Sequence, residues 1–420
     1  MMAAVLLARR GYEVHLFEKN EKVGKKLYIT GKGRCNLTNN CEESELLNHV
    51  MTNPRFMYSA FSAFDAQDVM TFFENEGLTL KTERGNRVFP VSDKSSDVIR
   101  TLEKAMKKEK VNVHLRTAVK SIVVNDYESL EEVSEEVPDR EGRKGGKKAA
   151  CGCACGIVTE PGGFFPADAV LVATGGLSYA TTGSTGDGYR FAQETGHKVT
   201  ECEPSLVPLL TAEDYIPEMQ GLSLKNTGLT IRSGKKTVYS DFGEMMFTHN
   251  GVTGPMILSA SAVISKQLKK GPLNAFLDLK PALTPEKLDA RILRDFGESP
   301  NRQFRNVVSG LLPSSMVPVM IGLSGIPEDK RIHDITKEER LRFEGLIKNF
   351  PFTIIGKGEF KEAVITKGGV SVKDLNPATM ESKIVDHLYF IGEVIDVDAL
   401  TGGFNLQIAW STAYLAAMSV

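Results

Sequence analysis

Five short stretches of this chain carry residue types that could hold and use a large anionic ligand. The first is Glu13-Val14-His15-Leu16-Phe17, a short apolar-rich run that ends in Glu18 and is followed by Lys19. An acid at the carboxyl end of a strand suits a ribose hydroxyl. The second, EKVGKKLYITGKGRCNLTNN over 20–40, places Lys25, Lys26, Lys32 and Arg34 among the glycines around Gly31, a composition that can neutralise a pyrophosphate. The third is AVLVATGG, where a buried apolar run enters Gly175-Gly176. The fourth, LYFI, runs into Gly392-Glu393 with Asp396 behind it. In the fifth, Thr401-Gly402-Gly403-Phe404-Asn405 opens an Ala-rich helix. Glycines at strand ends let a backbone approach a bulky ligand, and helix N-termini favour negative charge.

Alone, each of these reads as an ordinary turn or a solvated basic loop. Their order at opposite ends of the chain favours FAD over NAD as the integral cofactor, because a domain for NAD alone has no need of the C-terminal return. A final helix aimed at the flavin N1–C2=O edge would stabilise the reduced ring. Glu393 or Asp396 would then meet ribityl or ribose hydroxyls. His249, in the polar turn FTHNGVTGP, is the best-placed proton donor of the seven histidines. A histidine that only orders its loop is the plainer reading there, and Tyr179 and Tyr189 have less support. Cys35 reads as a small buried filler, since no second cysteine stands at C-x-x-C spacing. Cys151, Cys153 and Cys155 form a C-x-C-x-C run without a further ligand at zinc-like spacing, so no metal site is expected. Phe72, Phe73 and residues 245–247 read as core.

Composition narrows the class. The 420 residues carry 51 basic and 53 acidic side chains, a net charge of −2 that gives no bulk attraction to nucleic acid, and none is expected as a partner. No apolar run approaches a membrane span, and Arg9 and Arg10 follow rather than precede the opening apolar run, unlike a secretory signal. Six cysteines are too few for a disulfide scaffold. A soluble cytoplasmic chain with reduced thiols, acting on a small molecule without a membrane, is the expectation.

The elements that must position these residues follow from pattern. Residues 2–10 read as a small helix with Gly11 as its C-cap, so helix, turn and acid-ended strand form the second half of a dinucleotide-binding βαβ unit. A strand and a Gly-x-Gly-x-x-Gly loop should precede them, and the chain is expected to open inside that unit. Residues 20–40 read as loop, 60–76 and 95–109 as helices, and 111–124, with Val119, as a strand. The acidic-then-basic stretch 128–150 reads as an exposed insertion. Texture changes to short strands and turns from 201 to 365, with a Pro-broken helical stretch over 285–348. The expected fold is α/β: a Rossmann-like FAD domain of the glutathione-reductase type over 1–200 and 366–420, with an inserted, mainly antiparallel β domain carrying a helical lobe over 201–365.

The runs VHLFEKNEKVGKKLYITGKGRCNLTN, VFPVSDKSSDV, VLVATGG, FTHNGVTGP and LYFIGEVIDVDALTGGFNLQIAW together resemble the BaiN-like flavoproteins, a family that includes the bile-acid-inducible flavoprotein and proteins called aminoacetone oxidases. The resemblance implies FAD contacts at Glu18, Lys19, Lys25, Lys26, Gly31, Arg34, Val119, Gly392, Glu393, Asn405 and Leu406; Gly175 and Gly176 are added from the strand-end reading. It also implies reduction of an activated C=C bond of a 3-oxo-Δ4,6 steroid; His249 is the proton-donor candidate from the residue reading, and NAD(P)H the expected diffusible electron source. No second nucleotide fingerprint occurs in 201–365. The alternatives are an aminoacetone-type amine oxidase and a non-catalytic flavin- or nucleotide-binding protein.

Overall fold

A computed structural model describes residues 1–126, 152–160 and 162–420. The expected insertion at 128–150, and Cys151, lie outside the described residues. The chain divides into two units, Met1–Pro204 with Val364–Val420, and Ser205–Ala363.

The first unit is built on short parallel pairs. His15–Glu18 pairs with Asn112–Leu115, Val170–Val172 with Leu388–Phe390, and Gly152–Glu160 with Val385–Asp386, all parallel. Parallel pairing needs both faces covered, which explains the continuous apolar runs VLV and LYF. The helix Met2–Arg9 is buried from Met2 to Leu7, so its Ala/Leu composition serves packing as well as propensity. It ends where expected, with Gly11 left-handed at φ 92°. It packs against the C-terminal helix Phe404–Ser419.

That last helix buries polar as well as apolar side chains, and each is satisfied. Gln407 Nε2 and Ser411 Oγ donate to the Phe64 carbonyl at 3.1 and 2.6 Å, and Trp410 Nε1 donates to the Leu37 carbonyl at 2.9 Å. The core includes Phe72 and Phe73, as expected, with Phe73 edge-on to Trp410.

Three local readings change. Residues 20–40 are not all loop: Lys25–Ile29 is a short helix entered through left-handed Gly24 (φ 73°). A β-carbon at Gly24 would press on Ile99, so tertiary packing sets this helix where composition argues against one. The 60–76 helix is two, Tyr58–Ala63 and Ala66–Asn75, because the Asp65–Asp68 capping box starts a new one. The 111–124 strand breaks at Arg116 (φ 54°) into Asn112–Leu115 and Ala118–Asp126, which belong to different sheets.

The second unit is a closed antiparallel barrel in the order Leu209–Thr211, Gly251–Thr253, Lys236–Phe247, Ser223–Ser233, Leu273–Asp278, Phe350–Lys357. Buried positions alternate along Leu273–Asp278, the first half of Phe350–Lys357 and the second half of Ser223–Ser233, and with Phe247 they supply Leu229, Ile231, Ala275, Leu277, Phe352 and Ile354 to the core. Met245 and Phe247 are core, as expected. The helices Pro285–Gly297, Phe304–Val308, Val317–Ser324 and Lys337–Lys348 carry a further part of the core, in which Phe304 meets Phe296 and Phe343 edge to face. The fold is thus a Rossmann-like α/β domain with an inserted, mainly antiparallel β domain bearing helices.

Candidate functional site

The carboxyl ends of the first unit's parallel strands gather most of the expected residues. Glu18 closes the strand His15–Glu18, and its Oε1 accepts from the Asn20 backbone amide at 2.9 Å and from Asn20 Nδ2 at 2.7 Å. Asn20 Nδ2 also donates to the Thr182 carbonyl at 3.0 Å, which brings the turn after Gly175-Gly176 to the same edge. Lys19 reaches that turn too, donating to Thr185 Oγ1 at 2.6 Å and to Asp187 Oδ2 at 2.5 Å. The Thr117 amide donates to the Glu18 carbonyl at 3.0 Å, placing the strand that carries Val119 beside the acid. Val119 itself is half-buried against the core.

A second cluster joins segments far apart in sequence. Lys26 Nζ donates to Glu393 Oε2 at 2.5 Å and to Ser178 Oγ at 2.8 Å. Glu393 Oε1 accepts from Ser178 Oγ at 3.0 Å and from the Thr366 amide at 2.9 Å. Thr366 Oγ1 in turn accepts from the Leu177 and Ser178 amides at 2.7 and 3.2 Å. Ser178 and Thr366 are buried, whereas the Lys26 and Glu393 side chains keep 23% and 20% of their surface exposed. The charged ends therefore sit at a surface whose lower layer is fixed. Gly176 lies over this network, and a β-carbon there would clash with Thr366 Oγ1 and Glu393 Oε1. Gly175 is left-handed (φ 72°) against Ser184. Gly392 is left-handed as well (φ 73°), and its amide donates to Thr412 Oγ1 of the last helix at 3.0 Å.

Other expected residues have different work. Arg34 is held by acids of the hairpin 80–93: a fork on Glu83 at 2.5 and 3.2 Å and two bonds to Asp93 Oδ1 at 2.9 and 2.5 Å, with Phe89 4.2 Å beneath the guanidinium. Lys81 adds a bond to Asp93 Oδ2 at 2.7 Å. Arg34 and Lys81 hold both carboxyls below the usual range. The charge of Arg34, one of the four cations read as neutralising a pyrophosphate, is thus already matched within the protein. Gly31 (φ 56°) belongs to this left-handed turn and packs near Phe89 and Asn36. Lys25 Nζ donates to Asn20 Oδ1 at 3.2 Å and so joins the Glu18 group. Asn405 is a positioning residue: its side chain bonds the Ala399 amide and carbonyl at 2.9 and 2.8 Å, and the Leu400 carbonyl at 3.2 Å. Leu406 packs on the core. His249 belongs to the second unit, exposed in the turn between Lys236–Phe247 and Gly251–Thr253, and no partner is described for it.

Tyr189 is buried, which pushes its hydroxyl far above the usual tyrosine range, and Cys35 is buried with its thiol pushed up to about 12, as a filler should be. Among the described residues no group of three or more His, Cys, Asp or Glu could hold a metal ion. The five described cysteines are all unpaired.

Asp396 and Asp398 flank the approach to the last helix. Asn53 Nδ2 donates to the Asp396 carbonyl at 2.7 Å and to Asp396 Oδ2 at 3.3 Å. Asp398 is 1% exposed and neither carboxylate oxygen has a hydrogen-bond partner. Burial pushes its carboxyl above the ordinary aspartate range, against the opposing pull of Thr52 and Lys367. An acid whose proton is held more tightly in the folded chain adds stability below its unfolded value and loses it as pH rises towards its folded one. Replacing Asp398 by Asn should therefore raise stability by about 1 kcal/mol at pH 7 and by much less at pH 4, read as urea midpoints at the two pH values. Equal gains at both would contradict this.

Sequence reasoning missed Asn20, Ser178, Thr366 and Asp187. Ser178 and Thr366 are uncharged, and the only available hint was their place beside glycines, in GGLS and TKGG.

Known proteins resemble the chain over its whole length. It is 28% identical to the 3-dehydro-bile acid delta(4,6)-reductase of Clostridium scindens, over 99% of this chain and 95% of that one. It is also 28% identical to the ribosomal RNA dihydrouridine synthase of Haemophilus influenzae, over 100% of this chain and 95% of that one. The expected exclusion of nucleic acid therefore loses its support: a balanced net charge speaks to bulk attraction only and does not bear on recognition of a single base. Among solved structures, the 3-ketosteroid delta1-dehydrogenase of Sterolibacterium denitrificans superposes with a TM-score of 0.51 at 12% identity, covering 99% of this chain and 96% of that one, a likeness of fold. No helix among the described residues is long and apolar enough to cross a membrane. Residues 1–140 and 148–419 match one family profile, and the chain belongs to the HI0933-like protein Rossmann domain family.

Proposed function

We propose that this protein is an FAD-dependent oxidoreductase that reduces a C=C bond conjugated to a carbonyl. One observation carries the reading: two full-length relatives, named for different substrates, are named for the same kind of change. A delta(4,6)-reductase saturates a C=C conjugated with a ketone, and dihydrouridine is uridine saturated at the C=C conjugated with its C4 carbonyl. Bound FAD would supply the two-electron chemistry, hydride to the β-carbon of such a system.

The residues present fit that cofactor. Gly176 lies directly on the Thr366–Glu393 layer, where any side chain would clash, so the strand ends in bare backbone that a ligand could approach closely. Glu18 would take a ribose hydroxyl, and Val119 beside it the adenine edge. Lys19, Lys25 and Lys26 line the same edge, each beside an acid (Asp187, Glu21 and Glu393), and would turn to the pyrophosphate when it binds. Gly175, Gly392 and Glu393 would bound the ribityl portion, and Asn405 and Leu406 would fix the start of the last helix near the flavin. Gly31 and Arg34 shape the neighbouring turn. The proton for the adjacent carbon is assigned to His249, and the electrons to NAD(P)H arriving as a diffusible donor.

The substrate proposed first is a 3-oxo-Δ4,6 steroid. The dihydrouridine relative favours a second, a uracil base in RNA. Incubating the FAD-loaded protein and NADH or NADPH with a 4,6-dien-3-one steroid, and separately with ribosomal RNA lacking dihydrouridine, decides between them by mass spectrometry. A gain of about two mass units on one substrate, lost with His249→Phe, is the expected result. No reduction of either would overturn the reading. Oxidation of aminoacetone by the same preparation, with O2 consumed, would favour the amine oxidase.

A further inference from the structure

Among the described residues the strand Asn112–Leu115 is paired on one side only, with His15–Glu18, in a two-stranded sheet. The Asn112 amide donates inward to the Val14 carbonyl at 2.8 Å. By the two-residue alternation of a strand, Val113 and Leu115 turn their N–H and C=O groups to the open side. Val113 and Leu115 are 39% and 43% exposed, two apolar residues side by side on this edge. An edge of this kind invites pairing unless something covers it.

A cleft of about 550 Å³ lies along the same strand, between it and the helix Ser95–Lys108. Met106, Val111 and Val23 supply apolar lining, and Lys22, Lys107 and Lys110 stand around it with a single acid, Glu103. None of the three lysines has an ion-pair partner among the described residues. Lys107 sits in the last turn of the helix, where a cation offsets the helix dipole, and Lys110 follows just past its end. That role leaves their charge available to a ligand.

We propose that this cleft docks an extended acidic peptide of another protein as an added strand beside Asn112–Leu115. A groove between an open strand edge and a helix is the arrangement by which sheets take up peptides: backbone bonds give affinity, and alternate side chains enter the groove. Apolar lining calls for apolar residues at every second position of the partner. The lysines call for carboxylates between them. This site is independent of the flavin reading.

The test uses the full chain and an acetylated, fluorescein-labelled peptide of alternating Glu and Val, six residues long. Saturable fluorescence polarisation is expected. Lys107→Glu combined with Lys110→Glu should weaken it about tenfold or more, and Val113→Pro, which removes an open-edge N–H, by a similar factor. Because proline in a strand can also impair folding, the unaltered protein is titrated with the peptide N-methylated at alternate residues, which should fail to bind. Three results would overturn the proposal: no binding, equal binding of the N-methylated peptide, or preference for an oligouridylate probe that Val113→Pro leaves unchanged. The last would make the cleft a nucleic-acid contact.

Discussion

Gly403→Ala should leave little folded protein. Gly403 is left-handed (φ 102°), and a β-carbon would overlap the Thr38 carbonyl carbon and oxygen, which are backbone and cannot rotate away. The contact is where the strand Thr38–Asn39 meets the last helix, and the same neighbourhood carries the Trp410-to-Leu37 bond and the Asn39 Nδ2 bond to the Gly402 carbonyl at 3.0 Å. Forcing them apart costs overpacking strain on top of left-handed strain, about 3–5 kcal/mol in all, which is a large part of an ordinary domain's stability. Soluble yield and the thermal midpoint check this. A Gly77→Ala control, also left-handed (φ 85°) but with nothing near its missing β-carbon, should cost only about 1 kcal/mol. Equal losses in the two variants would mean that the close approach at Thr38 does not matter.

Glu393→Ala should separate cofactor retention from folding. It removes an acceptor of Lys26, Ser178 and Thr366 at once: the cation loses its counter-charge and keeps Ser178 Oγ, the Ser178 hydroxyl keeps the Val364 carbonyl, and the Thr366 amide loses its acceptor. Because the two charged side chains keep about a fifth of their surface in water, the loss should be about 1–3 kcal/mol, less than for a fully buried pair. The chain should fold, but its ratio of flavin to protein absorbance should drop several-fold. Glu393→Gln, which still accepts from the Thr366 amide, should recover most of the stability and little of the flavin. Unchanged flavin content in both variants would remove Glu393 from the proposed site.

These residues show what the amino-acid order made legible. The acid-ended strand at Glu18, the apolar run into Gly175-Gly176 and the final helix after Gly402-Gly403 could be read because each follows from a local rule: alternation, glycine freedom, helix periodicity. The Rossmann-like fold with its inserted antiparallel domain follows from the order of such segments. What stayed hidden depends on contacts between distant segments. Arg34 reads as a free cation in its own loop, yet Glu83 and Asp93, 49 and 59 residues away, claim it. Lys26 reads as one of several lysines until the fold brings Glu393 to it across 367 residues. Thr366 and Ser178 bear no charge and break no pattern, so only the assembled edge reveals them. The short helix at Lys25–Ile29 was obscured because glycines and lysines argue for loop, while packing of Gly24 on Ile99 decides otherwise.

The reductase activity proposed above has a direct test that needs no reconstituted donor. The protein is purified with FAD, made anaerobic, and photoreduced until its absorbance near ~450 nm, typical of oxidised flavin, is bleached. A 4,6-dien-3-one steroid, or uridine-bearing ribosomal RNA, is then added. Return of the band before any air is admitted, with one equivalent of saturated product, is the result the reductase reading predicts. A flavin that stays bleached with both substrates, or a protein that never acquires the band, would contradict it.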